Sequence, residues 1–179
     1  MKEGDSKNNK FEKRYEKFKN KFRTERDCRR QLFKNRWPKG YRCPRCKNDE
    51  FYDAYEHGKS NIKLYQCKNK KCNYQSSVTS GTIFDKTRTK LIVWFRMIFL
   101  IAQRGKHLST MEIVNEVGLK KENYKTIFLI RKKIEKELNK KRALKIFKGI
   151  ARREDIERHQ RDRRNERLRK VLKIGKKEK

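Results

Sequence analysis

Apolar residues recur every three to four positions near the start of the chain, every second position in its middle, and every three to four positions again after residue 82. The first helical stripe contains Phe11, Tyr15, Phe18 and Phe22, because residues three and four apart share one face of an α-helix. The pattern therefore predicts helices across residues 11–36. The polar residues 1–10 carry no such stripe and are predicted to be disordered.

Two local signals bound the second of these helices. Thr24, with Asp27 three residues later, is typical of a capping box at a helix start. Pro38 and Gly40 then end the helix. Cys28 lies within it, one turn before Leu32, so it is predicted to be a small core residue rather than a metal ligand or a catalytic thiol.

Alternation of apolar and polar residues predicts three strands, at residues 51–55, 62–67 and 74–78. The segment between the first two has the composition of a hairpin turn and contains Gly58. His57 falls in that turn and is predicted to be exposed to solvent, not a ligand. The sequence thus predicts a three-stranded antiparallel sheet.

Three further helices are predicted after residue 82. The first spans about residues 90–103, and Ser109 with Glu112 forms a capping box that opens a short second helix, ended by Gly118. The third spans about residues 121–138 and places one apolar face inward: Ile127, Ile130, Ile134 and Leu138. This order is typical of a helix-turn-helix. An ordinary three-helix bundle is the alternative that the pattern leaves open.

Four cysteines stand in two close pairs, Cys43 with Cys46 and Cys67 with Cys72. Four thiolates at about 2.3 Å surround Zn²⁺ tetrahedrally, and each short loop can cover one side of the ion. We therefore predict one structural Zn²⁺, with no open coordination position for chemistry. Disulfide bonding is the alternative. It is disfavoured because the chain does not start with an apolar signal segment, which predicts a reducing, intracellular location.

Charge points to an anionic partner. The 179 residues include 54 Lys and Arg against 22 Asp and Glu, a formal net charge of +32. Such an excess self-repels unless an anion such as nucleic acid neutralises it. The most apolar run, residues 91–102, is shorter than the roughly 20 residues that cross a bilayer, so no membrane partner is predicted. Residues 141–179 mix both charges, as in an exposed helix that is either simply solvated or bound to a nucleic-acid backbone.

Several short motifs follow one another in a distinctive order. They are RWPKGYRCPRC at residues 36–46, YQC at 65–67, CNYQS at 72–76 and GTIF at 81–84. Together they resemble the N-terminal region of zinc-ribbon insertion-sequence transposases, which are related to the Merlin elements of eukaryotes. The resemblance covers about residues 11–138 and implies binding to terminal inverted repeats in double-stranded DNA.

The same resemblance implies an RNase-H-like catalytic domain, with an acidic triad and two divalent metals, after the helical module. Only about forty residues follow Leu138, whereas such a domain needs well over a hundred. Asp155 and Asp162 lie in an Arg-rich stretch without a strand pattern. We therefore expect no catalytic residues and no enzymatic activity from this chain alone.

These observations predict a small α+β protein: a zinc ribbon (residues 37–84) and an all-α helix-turn-helix module (85–140), with helical extensions at residues 11–36 and 141–179. The predicted function is sequence-specific DNA binding by a transposase-derived protein, in a nucleus or in a prokaryotic cytoplasm and nucleoid. Two alternatives stay open. One is a truncated or split transposase whose catalytic domain lies on another chain, and the other is an RNA- or ribosome-associated zinc ribbon. The oligomeric state is not predicted.

Candidate DNA-binding residues fall into two groups. A recognition helix places its N-terminal residues nearest the bases, which selects Lys121, Asn123, Lys125 and Thr126. The other candidates are basic residues expected to neutralise DNA charge, mainly at phosphates: Arg42, Arg45, Lys120, Arg131, Arg152, Arg153, Arg163 and Arg164.

Overall fold

The computed structural model describes residues 2–55 and 63–174. Within these ranges the elements follow one another as α1 (Lys2–Lys21), α2 (Glu25–Arg36), β1 (Phe51–Tyr55), β2 (Lys63–Cys67), β3 (Gln75–Ser76), α3 (Leu91–Arg104), α4 (Thr110–Glu116), α5 (Tyr124–Leu138), α6 (Ala143–Ile146) and α7 (Arg153–Ile174). The predicted class, a three-stranded antiparallel sheet combined with helices, is confirmed. In this part of the chain, no helix is both long and apolar enough to cross a membrane.

The chain divides into two compact units, with a boundary inside α3. The first unit contains residues 1–80 and 86–96, and the second contains residues 81–85 and 97–179. The first therefore includes the sheet and the N-terminal helices, and the second includes α4 to α7. The predicted division into five segments stays a prediction.

Helix α1 buries the aromatic stripe predicted from the sequence. Phe11, Tyr15, Phe18 and Phe22 are all buried. The helix begins at Lys2, so it extends through residues 2–10, which carry no apolar stripe. These residues include weak helix formers such as Gly4, Asp5 and Asn8, so the helix is propagated from the aromatic stripe rather than set by local propensity.

Helix α2 starts at the predicted capping box. The Thr24 hydroxyl accepts a hydrogen bond from the Asp27 backbone N–H at 3.2 Å, and the Asp27 carboxylate accepts one from the Thr24 N–H at 3.0 Å. The inward face of the helix carries Cys28 and Leu32, both buried. The prediction that Cys28 is a core residue is therefore confirmed.

The sheet packs an aromatic cluster on one face. Its order is β1-β2-β3, with Phe51 opposite Cys67 and Tyr65 opposite Ser76. The ring of Tyr65 lies 5.1–5.2 Å from the rings of Phe33, Trp37 and Phe51, measured between centroids. Strand β3 is shorter than predicted. The turn that contains His57 lies outside the described residues.

Two contacts join the segments that flank the sheet. The Glu25 carboxylate accepts hydrogen bonds from the backbone N–H groups of Leu91 (3.1 Å) and Ile92 (3.0 Å), so a residue of α2 satisfies donors at the start of α3. Beside the sheet, the Arg36 guanidinium donates to the Ser80 carbonyl. Both contacts lie within the first unit.

The core of the second unit is mainly aliphatic and includes the buried ring of Phe147. Helix α4 begins at the predicted capping box of Ser109 and Glu112, and Gly118 follows it with a φ of +73°, a left-handed conformation that favours glycine. The predicted inner face of the next helix is confirmed, because its four apolar residues are buried: Ile127, Ile130, Ile134 and Leu138. Residues 121–123 form a separate 3₁₀ turn before α5, whereas the sequence predicted one continuous helix.

Candidate metal centre and nucleic-acid surface

The two cysteine loops have the same backbone construction. In each loop the first cysteine donates its N–H to the carbonyl two residues beyond the second cysteine: Cys43 to Asn48 at 2.8 Å and Cys67 to Tyr74 at 2.9 Å. The residue that directly follows the second cysteine is left-handed in both loops, Lys47 with φ +67° and Asn73 with φ +47°. Each loop therefore curls tightly enough to turn both of its thiols towards one point.

The four sulfur atoms meet at that point. The Sγ atoms of Cys43 and Cys72 are 3.8 Å apart, those of Cys46 and Cys67 are 3.5 Å apart, and all four lie within 4.8 Å of one another. Tetrahedral zinc with bonds of about 2.3 Å requires sulfurs about 3.8 Å apart. The site is consistent with one structural Zn²⁺, as predicted.

The thiol pKa values show why a cation suits this cluster. Although burial opposes it, hydrogen bonds from the backbone N–H groups of Cys46 and Arg45 lower the pKa of Cys43 to about 6. Burial, together with the neighbouring thiols, raises the pKa of Cys67 to about 12. Four adjacent thiolates repel one another, and a bound dication removes that repulsion by ligating all four.

Cys28 has a different environment, although it is also a thiol in the first unit. Burial, and secondarily the nearby Glu25 and Asp27 carboxylates, raise the pKa of Cys28 to about 12. A thiol with so high a pKa is protonated at neutral pH and is a poor nucleophile. What distinguishes Cys28 from the four clustered cysteines is its position in the core of α2, away from the thiols of the cluster.

The aromatic cluster supports the first cysteine loop. The Trp37 indole N–H donates to the carbonyl of Arg42 at 2.8 Å, which holds the residue that precedes Cys43. The side chains of Arg42 and Arg45, both predicted to bind phosphate, are exposed. One Arg42 guanidinium nitrogen lies 3.5 Å from the Lys47 carbonyl, so this side chain lies back along its own loop.

The predicted base-reading residues lie at the start of α5 and in the turn before it. Lys121, Lys125 and Thr126 are exposed, as is Lys120. Asn123 is half-buried, and its side-chain amide lies 3.3 Å from the Lys120 carbonyl. These candidates therefore lie next to one another along the turn and the first residues of α5, with Asn123 partly engaged in the local turn.

Arg131 has a structural environment that the sequence analysis did not predict. Its Nε lies 2.8 Å from the Glu135 carboxylate and its Nη1 lies 3.4 Å from the Thr110 hydroxyl. Its side chain is only 14% exposed. Arg131 thus links α5 to α4. The spacing of Arg131 and Glu135, one helical turn apart, is the sequence signal that could have indicated this pair.

The four arginines predicted to bind phosphate after residue 150 differ in whether an acidic side chain already pairs with them. Arg152 contacts Glu154 and Asp155, and Arg153 lies 2.7 Å from Glu157. Two other predicted phosphate ligands in α7 are exposed and have no ion pair among the described residues: Arg163 and Arg164. In the described part of the chain, no carboxylate at salt-bridge distance therefore competes with a phosphate for Arg163 or Arg164.

Comparisons with known proteins agree with the metal centre. Neither a curated protein nor a solved structure matches the chain. Residues 23–75, which include the four ligand cysteines, match the family model of the transposase zinc-ribbon domain of the IS1595 type.

Proposed function

We propose that this protein binds double-stranded DNA at specific sequences and does not cleave or join DNA by itself. The observation that carries the proposal is the α4–turn–α5 arrangement: a capped short helix, a left-handed Gly118, and an exposed basic start to the next helix. The match to a transposase zinc ribbon supports a nucleic-acid-binding role. The net charge of +32 supplies the attraction to phosphates.

In this proposal, α5 enters the major groove and its first turn contacts base edges. Lys125 can donate to guanine and Asn123 can pair with adenine through its amide. Arg163 and Arg164 bind phosphates, and so do Arg42 and Arg45 of the ribbon, which fixes the register without reading sequence. The sites are inverted-repeat-like duplexes, because the matched domain comes from transposases.

The test measures affinity for a selected duplex and a random duplex at two salt concentrations. We expect Asn123→Ala or Lys125→Ala to weaken the selected duplex by about 1–3 kcal/mol and the random duplex little. Arg163→Ala should weaken both duplexes equally and reduce the salt slope by about one. Arg153→Ala is the matched control, since that side chain is already paired with Glu157, and it should change the slope less.

Equal weakening of both duplexes by Asn123→Ala and Lys125→Ala would mean that α5 does not read bases. An ordinary three-helix bundle would then be the better account of this region. Competition between duplex DNA and duplex RNA of the same sequence, at matched salt, separates the proposal from RNA binding. RNA that competes as well as DNA would contradict it.

The non-catalytic part of the proposal has its own experiment. Among the described residues, the cysteine cluster is the one group of three or more potential ligands close enough to hold a metal ion. Two-metal DNA chemistry requires carboxylates that hold ions about 4 Å apart. The purified chain should therefore neither nick nor join DNA with Mg²⁺ or Mn²⁺. Cleavage that co-purifies with the chain through every step would instead favour an active transposase.

The split-transposase alternative also has a clear test. If the catalytic domain lies on a second chain, cleavage should appear only when that chain is added. A neighbouring reading frame that encodes an acidic-triad domain between inverted repeats would supply the candidate. Its purified product, mixed with this chain and a duplex carrying those repeats, should then cleave at the repeat ends.

A further inference from the structure

The outer side of α5 carries exposed apolar residues among its lysines. Leu129 is 61% exposed, Tyr124 is 41% exposed and Phe128 is 40% exposed. We name these three side chains the apolar patch. The opposite side of the helix is buried in the core, and it includes Ile127 and the apolar residues that follow it at helical spacing. Packing of the unit's core therefore does not explain the apolar residues on the outer side.

The patch is ordered and surrounded by positive charge. The rings of Tyr124 and Phe128 stack with centroids 6.4 Å apart and planes inclined by 12°, and the Lys132 ammonium lies 5.3 Å from the Phe128 ring centroid. Leu129 lies one helical turn after Lys125 and one turn before Lys133, both exposed. The stacked rings and Leu129 are therefore two adjacent apolar parts of one basic face, with Lys125 and Lys132 between them.

This charge pattern indicates what covers the patch. A second copy of the chain would bring an identical set of lysines against this face, and each copy carries a net charge of +32. A DNA duplex is polyanionic, and its major groove is wide enough for one α-helix. The lysines around the patch would then face phosphates or base edges.

We propose that the apolar patch reads the C5-methyl groups of thymine in the major groove. This inference rests on the proposed function and deepens it by naming the chemical group that is recognised. The thymine methyl is the apolar group that base pairs present in that groove. Leu129 lies about 6 Å along the helix axis from Lys125, so the thymine should fall within about two base pairs of the base that Lys125 contacts.

The experiment removes the methyl groups without changing charge or Watson–Crick pairing. The wild-type chain selects duplexes from a random 30-base-pair library, and the selected pool is then copied with dUTP in place of dTTP. We expect the uracil pool to bind roughly fourfold more weakly for each methyl group contacted. Binding is measured by titration of both pools at one salt concentration.

Substitutions test whether the apolar patch causes the preference for thymine over uracil. Leu129→Ala should bind both pools equally, whereas Leu129→Met, which keeps an apolar side chain, should retain the preference. Leu168→Ala is the matched control, because Leu168 is a leucine of similar exposure, 55%, on α7. It should keep the full preference for thymine.

Three outcomes would overturn the inference. If the wild-type chain binds the two pools equally, methyl groups are not read, while selection of the pool still supports sequence-specific DNA binding. If Leu129→Ala keeps the thymine preference and instead changes the sedimentation of the free chain from dimer to monomer, the patch is a surface between copies. If no pool is enriched at all, the proposed function fails together with the inference.

Discussion

The zinc ribbon of the first unit and the helical core of the second unit are stabilised by different means. The ribbon packs rings around Tyr65 on one face of a short sheet, next to four cysteines. The second unit buries aliphatic side chains of α3 to α5, such as Ile98, Ile113 and Ile134. Hydrophobic residues make up only 34% of the chain, so each region has few apolar side chains from which to form a core.

The difference shows how a chain with few apolar residues can still form two cores. A ribbon of this size buries too little surface to fold on hydrophobic burial alone, and a metal supplies the missing free energy. Three packed helices bury whole apolar faces and need no ion. We therefore expect the first region to depend on zinc and the second to be independent of it.

Removal of zinc should give the largest effect. Structural zinc contributes about 10 kcal/mol or more to the folding of small domains, so chelation should unfold residues 37–80 and leave α4 and α5 folded. Hydrogen exchange read out by mass spectrometry, region by region, checks this. Cys43→Ser should abolish zinc binding, whereas Cys28→Ser should leave zinc content unchanged. Equal loss of zinc from both variants would contradict the ligand assignment.

Truncation of the aliphatic core should have the next largest effect, and in the other region. Ile134 is fully buried, so Ile134→Ala should lower the free energy of unfolding of the second unit by about 2–5 kcal/mol. Zinc content should not change. Leu129→Ala, an exposed position on the same helix, is the control and should change stability by less than about 0.5 kcal/mol. Loss of zinc from the Ile134→Ala protein would mean that the two regions do not fold independently.

A buried carboxylate should make the second unit sensitive to acid. Although burial opposes it, hydrogen bonds from Arg142 and Lys140 hold the pKa of Glu137 below its ordinary value of 4.5. A carboxyl group whose pKa is lowered by folding stabilises the folded state at pH values above its ordinary pKa. This stabilisation is lost as the pH falls through the lowered pKa.

Glu137→Gln should therefore cost about 1–3 kcal/mol at pH 7, and the cost should shrink as pH falls below the ordinary pKa of 4.5. Urea unfolding of both proteins at pH 7 and at pH 3.5 measures the difference. A cost that is the same at both pH values would show that Glu137 stabilises the fold by packing and not by charge.

The two capping boxes should give the smallest effects and compare the units directly. Thr24→Ala should destabilise the first unit, and Ser109→Ala the second unit, each by about 1 kcal/mol. Thermal unfolding, monitored region by region through hydrogen exchange, should show that each substitution destabilises only its own unit. If Thr24→Ala lowered the protection of α4 and α5 from hydrogen exchange, the two regions would not be energetically independent.

Much of this structure could be predicted from local sequence signals. The metal ligands follow from cysteine spacing, the starts of α2 and α4 from their capping boxes, and the inner face of α5 from helical periodicity. Each of these signals lies within a few residues of the feature that it specifies. The extension of α1 back to Lys2 could not be predicted in this way, because residues 2–10 carry neither an apolar stripe nor strong helix propensity.

Contacts distant in sequence could not be predicted in this way. Nothing near Glu25 indicates that its carboxylate meets the N–H groups of Leu91 and Ile92. The contact of Arg131 with Thr110 likewise depends on how α4 and α5 pack. A single sequence carries no pairing signal at such separations, so the contact of Arg131 with α4 could not be predicted.

The Glu25 contact has a consequence for how the chain can be divided and recombined. Arg36 at the end of α2 holds Ser80, so residues 37–80 begin and end at neighbouring points, while Glu25 at the other end of α2 holds the start of α3. The ribbon is in this sense an insertion between two helices that already contact each other. Exchange of residues 37–80 for another ribbon should therefore be tolerated if the new ribbon packs a ring against Phe33 of α2. A fragment that begins after residue 25 would instead lose the carboxylate that caps α3.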